Sequence, residues 1–141
     1  MRARRFGSIL AFGFLMASSA CNFSMSSANL SSLKIGSDKD ISNEVSTFKP
    51  TDAIYANAVA SNVPGKIKVT GRLVVEDVPG EKPGPIPSLE TSVNLDGSGT
   101  ASFHFTPPPS GWPAGKYKLE VLMFDDQGQQ KDQKSASFTV S

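Results

Sequence analysis

Pro107-Pro108-Pro109-Ser110-Gly111-Trp112-Pro113-Ala114-Gly115-Lys116-Tyr117-Lys118-Leu119-Glu120-Val121-Leu122-Met123 decides how this chain folds. Its first half carries four prolines, which supply no backbone N–H and cannot join a sheet as a central strand. Its second half alternates: Tyr117, Leu119, Val121 and Met123 fall on one side, Lys118 and Glu120 on the other. That period of two predicts a strand with one buried face. Between the halves stands Trp112, the only tryptophan in the chain. Loop, aromatic plug and strand together predict a corner where the chain leaves one sheet and enters the centre of another.

The same alternation recurs on both sides of this stretch. Leu33 and Ile35 mark a first strand over about 32–38, and Ile54, Ala56 and Ala58 a second. Ile67, Val69, Gly71, Leu73 and Val75 share one face of a third, where Gly71 predicts a bulge or a close approach. Leu89, Thr91, Val93 and Leu95 alternate as a fourth, and Ala101, Phe103 and Phe105 as a fifth after a tight hairpin at Asp96-Gly97-Ser98-Gly99. The sixth runs from Lys116, and the seventh carries Ala136, Phe138 and Val140. No ten-residue stretch shows the i, i+3, i+4, i+7 pattern of an amphipathic helix. Residues 78–88 hold four prolines and two glycines and read as an exposed loop.

Seven short strands separated by turn signals predict an all-β fold, a seven-stranded immunoglobulin-like β-sandwich. The predicted inward set is Ile54, Ile67, Val69, Leu73, Leu95, Phe103, Phe105, Tyr117, Leu119, Val121, Phe138 and Val140. About 110 residues can bury such a core without disulfides or metals.

The N-terminus reads differently. Met1-Arg2-Ala3-Arg4-Arg5 is basic, Phe6–Met16 is apolar and short, and Ala17-Ser18-Ser19-Ala20 is a run of small residues. This is the pattern of a secretory signal peptide over 1–20; the apolar run is about half the length a membrane span needs. Cys21, the only cysteine, follows at once and cannot form an internal disulfide. Residues 17–21 resemble a bacterial lipobox, in which the cysteine thiol receives a diacylglycerol; the family pattern has leucine where this chain has Ser18. The resemblance implies lipidation at Cys21 and a lipid anchor in the cell envelope. The alternative is ordinary cleavage after Ala20, which would leave the protein soluble in the periplasm or secreted. Serine dominates residues 22–32, so 21–32 is expected to be a flexible tether and 33–141 the folded domain.

The formal net charge of +1 rests on that leader. Without residues 1–20 the chain has 11 basic against 13 acidic residues, about −2 in all, which gives nucleic-acid binding no electrostatic support. The single histidine, His104, lies between Phe103 and Phe105 and points away from the face they bury. One histidine and one cysteine build neither a usual metal site nor a Cys–His pair, so no cofactor and no catalysis is expected. Asp125 and Asp126 lack the spacing of an EF-hand calcium loop and fit turn chemistry.

Phe48-x-Pro50-x-Asp52-x-Ile54-Tyr55-Ala56, Phe103-x-Phe105, Gly111-Trp112-Pro113-x-Gly115-x-Tyr117-x-Leu119-x-Val121 and Phe138-x-Val140 together resemble immunoglobulin-like or fibronectin-III-like domains of secreted bacterial proteins and lipoproteins. The resemblance covers about residues 45–141. It implies a fold and an exported location, and no reaction. In such a sandwich the loops 42–52, 78–88 and 107–115 share one end. That end would bring Phe48, Pro85, Trp112 and Pro113 together as a binding surface facing away from the anchor. The partner expected there is an envelope protein; the alternative is a glycan stacked on Trp112.

Overall fold

The computed structural model describes residues 28–141. Residues 1–20, expected to be a signal peptide, and Cys21 lie outside the described residues. Eight strands follow one another: β1 (Asn29–Gly36), β2 (Thr47–Phe48), β3 (Ile54–Ser61), β4 (Ile67–Asp77), β5 (Gly84–Leu95), β6 (Gly99–Phe105), β7 (Gly115–Asp125) and β8 (Gln130–Val140). They form two sheets, one of three strands in the order β1-β3-β6 and one of five in the order β2-β8-β7-β4-β5. The described chain is an all-β sandwich, and β7 sits at the centre of the larger sheet, as its alternation predicts.

Eleven of the twelve predicted inward residues are buried, and Leu95 packs partly buried against them. Large buried side chains at about 1.5–3 kcal/mol each dominate the drive to fold. Gly71 answers to close packing: the register of β4 with both neighbours runs unbroken through it. A Cβ there would stand 3.0 Å from the Phe103 ring across the core. The aromatic centre is a short stack, with Tyr117 and Phe138 parallel at 5.4 Å and Phe48 edge-on to Phe138 at 5.3 Å.

Four expectations are corrected. The strand count is eight, because Thr47–Phe48 pairs in parallel with Thr139–Val140; two residues carry no period for a sequence to display. Asp96–Ser98 is a turn between sheets rather than a hairpin, since β5 pairs with β4 and β6 with β3. The proline-rich stretch is loop only to residue 83; β5 begins at Gly84 and takes in Pro85 and Pro87. It can do so because β5 is an edge strand, where a missing N–H faces no neighbour. Finally, β1 starts at Asn29, inside the stretch expected to be tether, with Ala28 and Leu30 buried. A bulge between Leu30 and Ser32 breaks the alternation and hides this start from a period-of-two reading.

Candidate functional site

The corner is held by backbone and ring hydrogen bonds. The Trp112 backbone N–H donates to the Pro50 carbonyl at 2.9 Å. Its indole Nε1 donates to the Asp52 carbonyl at 2.7 Å. Tyr117 Oη donates to the Pro113 carbonyl at 2.7 Å. This last bond, from the start of a central strand to the loop just before it, is a tyrosine corner of the kind immunoglobulin-like sandwiches carry. The glycines of the motif have steric reasons. Gly111 has φ +84°, and a Cβ on it would meet Pro50 at 3.0 Å; Gly115 has φ +152°, and a Cβ on it would stand 2.7 Å from the Asp77 carbonyl oxygen.

Beside this corner, residues of the larger sheet and of the segment after β6 line a common groove. β5 and β6 are joined by the Asp96–Ser98 turn, then diverge, each following its own sheet. The register of β5 breaks as it recedes: Arg72 pairs with Glu90 and Val74 with Pro85, so Leu73 alone faces residues 86–89. That bulge carries Ile86, Ser88 and Leu89 off the sheet. They form one wall of a groove of about 350 Å³, with Trp112, Pro113 and Tyr117 opposite. Val75, Glu81, Thr106 and Pro108 complete it.

The polar atoms of both aromatic residues are already engaged by backbone carbonyls, so the groove sees their hydrocarbon. Ser88 and Thr106 offer hydroxyls, and Glu81 is the one charged lining residue. Burial pushes the Tyr117 hydroxyl above its ordinary pKa, and the negative charge of Glu81 adds to the rise. A broader depression of about 660 Å³ lies across Ser46, Glu76, Lys116 and Thr139. Its lining is mostly charged and hydroxyl side chains, and the corner residues do not reach it.

The expected site residues separate here. Trp112 and Pro113 line the groove. Trp112 is only 4% exposed, so no ring face is free as a platform for a sugar. Phe48 is buried at 1% exposure against Phe138 and presents no surface to a partner. Pro85 is exposed on β5, next to the groove wall rather than in it. Ile86, Leu89 and Glu81 were not singled out by sequence. Leu89 reads in the sequence as the first alternating residue of a strand, and Ile86 and Glu81 sit inside the proline-rich stretch with no periodic signal. His104 is exposed, stacked on Tyr55 at 5.4 Å, with Thr106 Oγ1 3.5 Å from its Nε2. Asp125 Oδ1 accepts from the N–H groups of Gln127 and Gln129 at 2.9 Å each, so it orders the β7–β8 turn.

The opposite end of the sandwich is polar. Ala28, the first described residue, lies there beside Asp125, Asp126 and Gln127. β7 runs from one end to the other, eleven residues or roughly 33 Å at strand rise. The groove and the start of the described chain therefore stand a strand length apart.

Sheet order, register and the tyrosine corner define an immunoglobulin-like β-sandwich. Among solved structures, a Niemann-Pick type C2 protein from the Japanese carpenter ant aligns with a TM-score of 0.50, covering 81% of this chain and 92% of that one at 12% identity. The soluble domain of PmoD from Methylocystis sp. aligns at 0.45 over 77% of this chain and 89% of that one, with 16% identity. An immunoglobulin-like protein from Pseudomonas aeruginosa aligns at 0.42 over 81% and 96%, with 11% identity. Likeness at such identities is one of fold alone. No protein-family model and no curated relative matches the chain.

Proposed function

We propose that this chain is an exported, lipid-anchored and non-catalytic binding module of the bacterial cell envelope, whose groove end contacts another envelope protein. The immunoglobulin-like fold is one that serves as an interaction module, and it carries function in sites grafted onto a common frame. The anchor rests on the signal-peptide pattern of residues 1–20 and on Cys21 directly after it.

The observation that carries the reading is the placement of the groove. It is an apolar hollow, it is walled by Ile86 and Leu89 against Trp112 and Pro113, and it lies at the end away from Ala28. An anchored domain leaving the membrane by its N-terminus would present that end outward. Apolar concavities with a few polar rim groups are the usual form of a contact site.

Two measurements test this. Palmitate labelling and intact mass of wild type against Cys21→Ala decide the anchor; an unlabelled wild type cleaved after Ala20 rejects it. Leu89→Glu, which places a charge in the groove wall, is compared with Gln127→Glu at the opposite end for co-purification with envelope components. Loss with the first and not the second is the expected result; equal retention by both rejects the groove as the contact surface.

A further inference from the structure

Four strand edges border the two sheets, and three of them are guarded. β1 is interrupted by its bulge at Leu30 and Ser32. In addition, its Leu30 N–H is taken by Asp132 and its Ile35 carbonyl by the Val45 N–H. β8 is covered by β2 only at Thr139 and Val140, with bonds from Thr139 to Ser46 and from Ser141 to Phe48 at that same end, and it carries the charged Lys131, Asp132 and Lys134 along the rest of its edge. β5 carries Pro85 and Pro87 and a wide bulge. Prolines, bulges and covering segments are the devices that stop an edge from pairing with a foreign strand.

β6 has none of them. Gly99-Thr100-Ala101-Ser102-Phe103-His104-Phe105 contains no proline and no lysine, arginine or carboxylate, and its register with β3 is continuous from end to end. Its outward backbone groups can be assigned. The Val59 carbonyl on β3 points toward β1, where it accepts from Ser31 Oγ at 3.4 Å. Thr100, paired with Val59, therefore turns its N–H and carbonyl away from β3, as do Ser102 and His104 at the same phase. All three are exposed, and no backbone partner for them outside the sheet occurs among the described residues. The far end of this edge opens into the groove, where Thr106 is a lining residue.

We infer that β6 is a strand-addition site. An extended segment of a partner protein pairs with the backbone of Thr100, Ser102 and His104, and places an apolar side chain in the groove against Ile86, Leu89 and Pro113. Unpaired strand groups select a β-strand because only that backbone repeats donors and acceptors at the same spacing. Glu81, the lone charged lining residue, selects a lysine or arginine beside the apolar anchor. The inference rests on the groove end being a protein-contact surface and adds the conformation and chemistry of the partner segment.

The test uses the full-length mature chain and a displayed library of random peptides of about twelve residues, long enough for one ordinary strand. The most enriched sequence is then synthesised and titrated. The expected peptide alternates apolar residues and carries a basic one. It slows hydrogen exchange at the Thr100, Ser102 and His104 amides, and loses about tenfold in affinity when alternate backbone nitrogens are methylated, since the paired donors are gone while the side chains remain. Glu81→Gln weakens it severalfold at low salt.

A peptide that binds in the groove without protecting those three amides overturns strand addition and leaves the protein-contact reading standing. Protection already present without peptide, together with a doubled mass in sedimentation, makes a second copy of this chain the occupant and overturns the partner assignment. Absence of any enriched peptide overturns the inference, while the Leu89→Glu comparison still decides the broader reading by itself.

Discussion

Tyr117 Oη donates to the carbonyl oxygen of Pro113, four residues earlier in the chain, at 2.7 Å. The bond latches the corner loop to the first residues of the central strand. The same ring stacks on Phe138, so one side chain fixes both the core and the groove wall.

Tyr117→Phe keeps the stack and removes the latch. It is expected to cost about 1 kcal/mol, the net worth of an ordinary hydrogen bond, and to lower Tm by about 4 °C in a domain of this size. The pH dependence follows from the raised pKa. A group that holds its proton more tightly when folded contributes stability that is complete below its unfolded value, 10.0 for tyrosine. That contribution is lost as pH rises through the higher folded value. Wild type should therefore lose stability above pH 10 more steeply than Tyr117→Phe in denaturant titrations at fixed temperature; parallel losses would contradict the assignment.

Trp112 offers an internal reporter because it is the only tryptophan and is buried at the groove. Its emission is expected to lie at short wavelength and to resist quenching by iodide, and Leu89→Glu should shift it to the red. Trp112→Phe removes the bond to the Asp52 carbonyl and some packing, with an expected loss of about 1–3 kcal/mol in denaturant unfolding.

On the outer face of the larger sheet, Arg72 Nε meets Glu120 Oε1 at 2.8 Å, with Lys118 3.4 Å from Oε2. Burial alone would push the Glu120 carboxyl up; the hydrogen bond and charge of Arg72, followed by Lys118, outweigh it and hold the pKa below the ordinary value. A lowered carboxyl stabilises the fold above its unfolded pKa and loses that contribution as pH falls through the folded value. Arg72→Met should cost about 1 kcal/mol at neutral pH and flatten the decline of stability below pH 4.5. An unchanged acid limb in Arg72→Met would refute the pairing as its source.

Gly71→Ala places a methyl group 3.0 Å from the Phe103 ring. Overpacking of that kind is expected to cost about 1–3 kcal/mol, read as a lower denaturation midpoint at unchanged slope. Gly65, with open space around it, serves as the control: Gly65→Ala should move the midpoint little.

Sandwich, core and corner were legible in the sequence because alternation marks one-faced strands directly, as along Tyr117–Met123. What escaped it had no periodic signature. Leu30 and Leu33 are three apart across a bulge, so β1 began too late. Phe48 read as a loop aromatic because its strand is two residues long. Ile86 was hidden among prolines that an edge strand tolerates and a central one does not, and Leu89 read as an ordinary strand residue rather than a groove wall. The groove is assembled from β4, β5, β7 and the loops beside them, and that meeting of distant residues is a property of sheet pairing that no local stretch encodes.

The most direct measurement is site-specific photo-crosslinking in intact cells from Ser88, on the groove wall, and from Gln127, about a strand length away at the polar end. A discrete crosslinked envelope protein is expected from Ser88, absent from Gln127 and lost in the Leu89→Glu background. The same adduct from both positions, or its persistence with Leu89→Glu, would contradict the groove end as the contact surface.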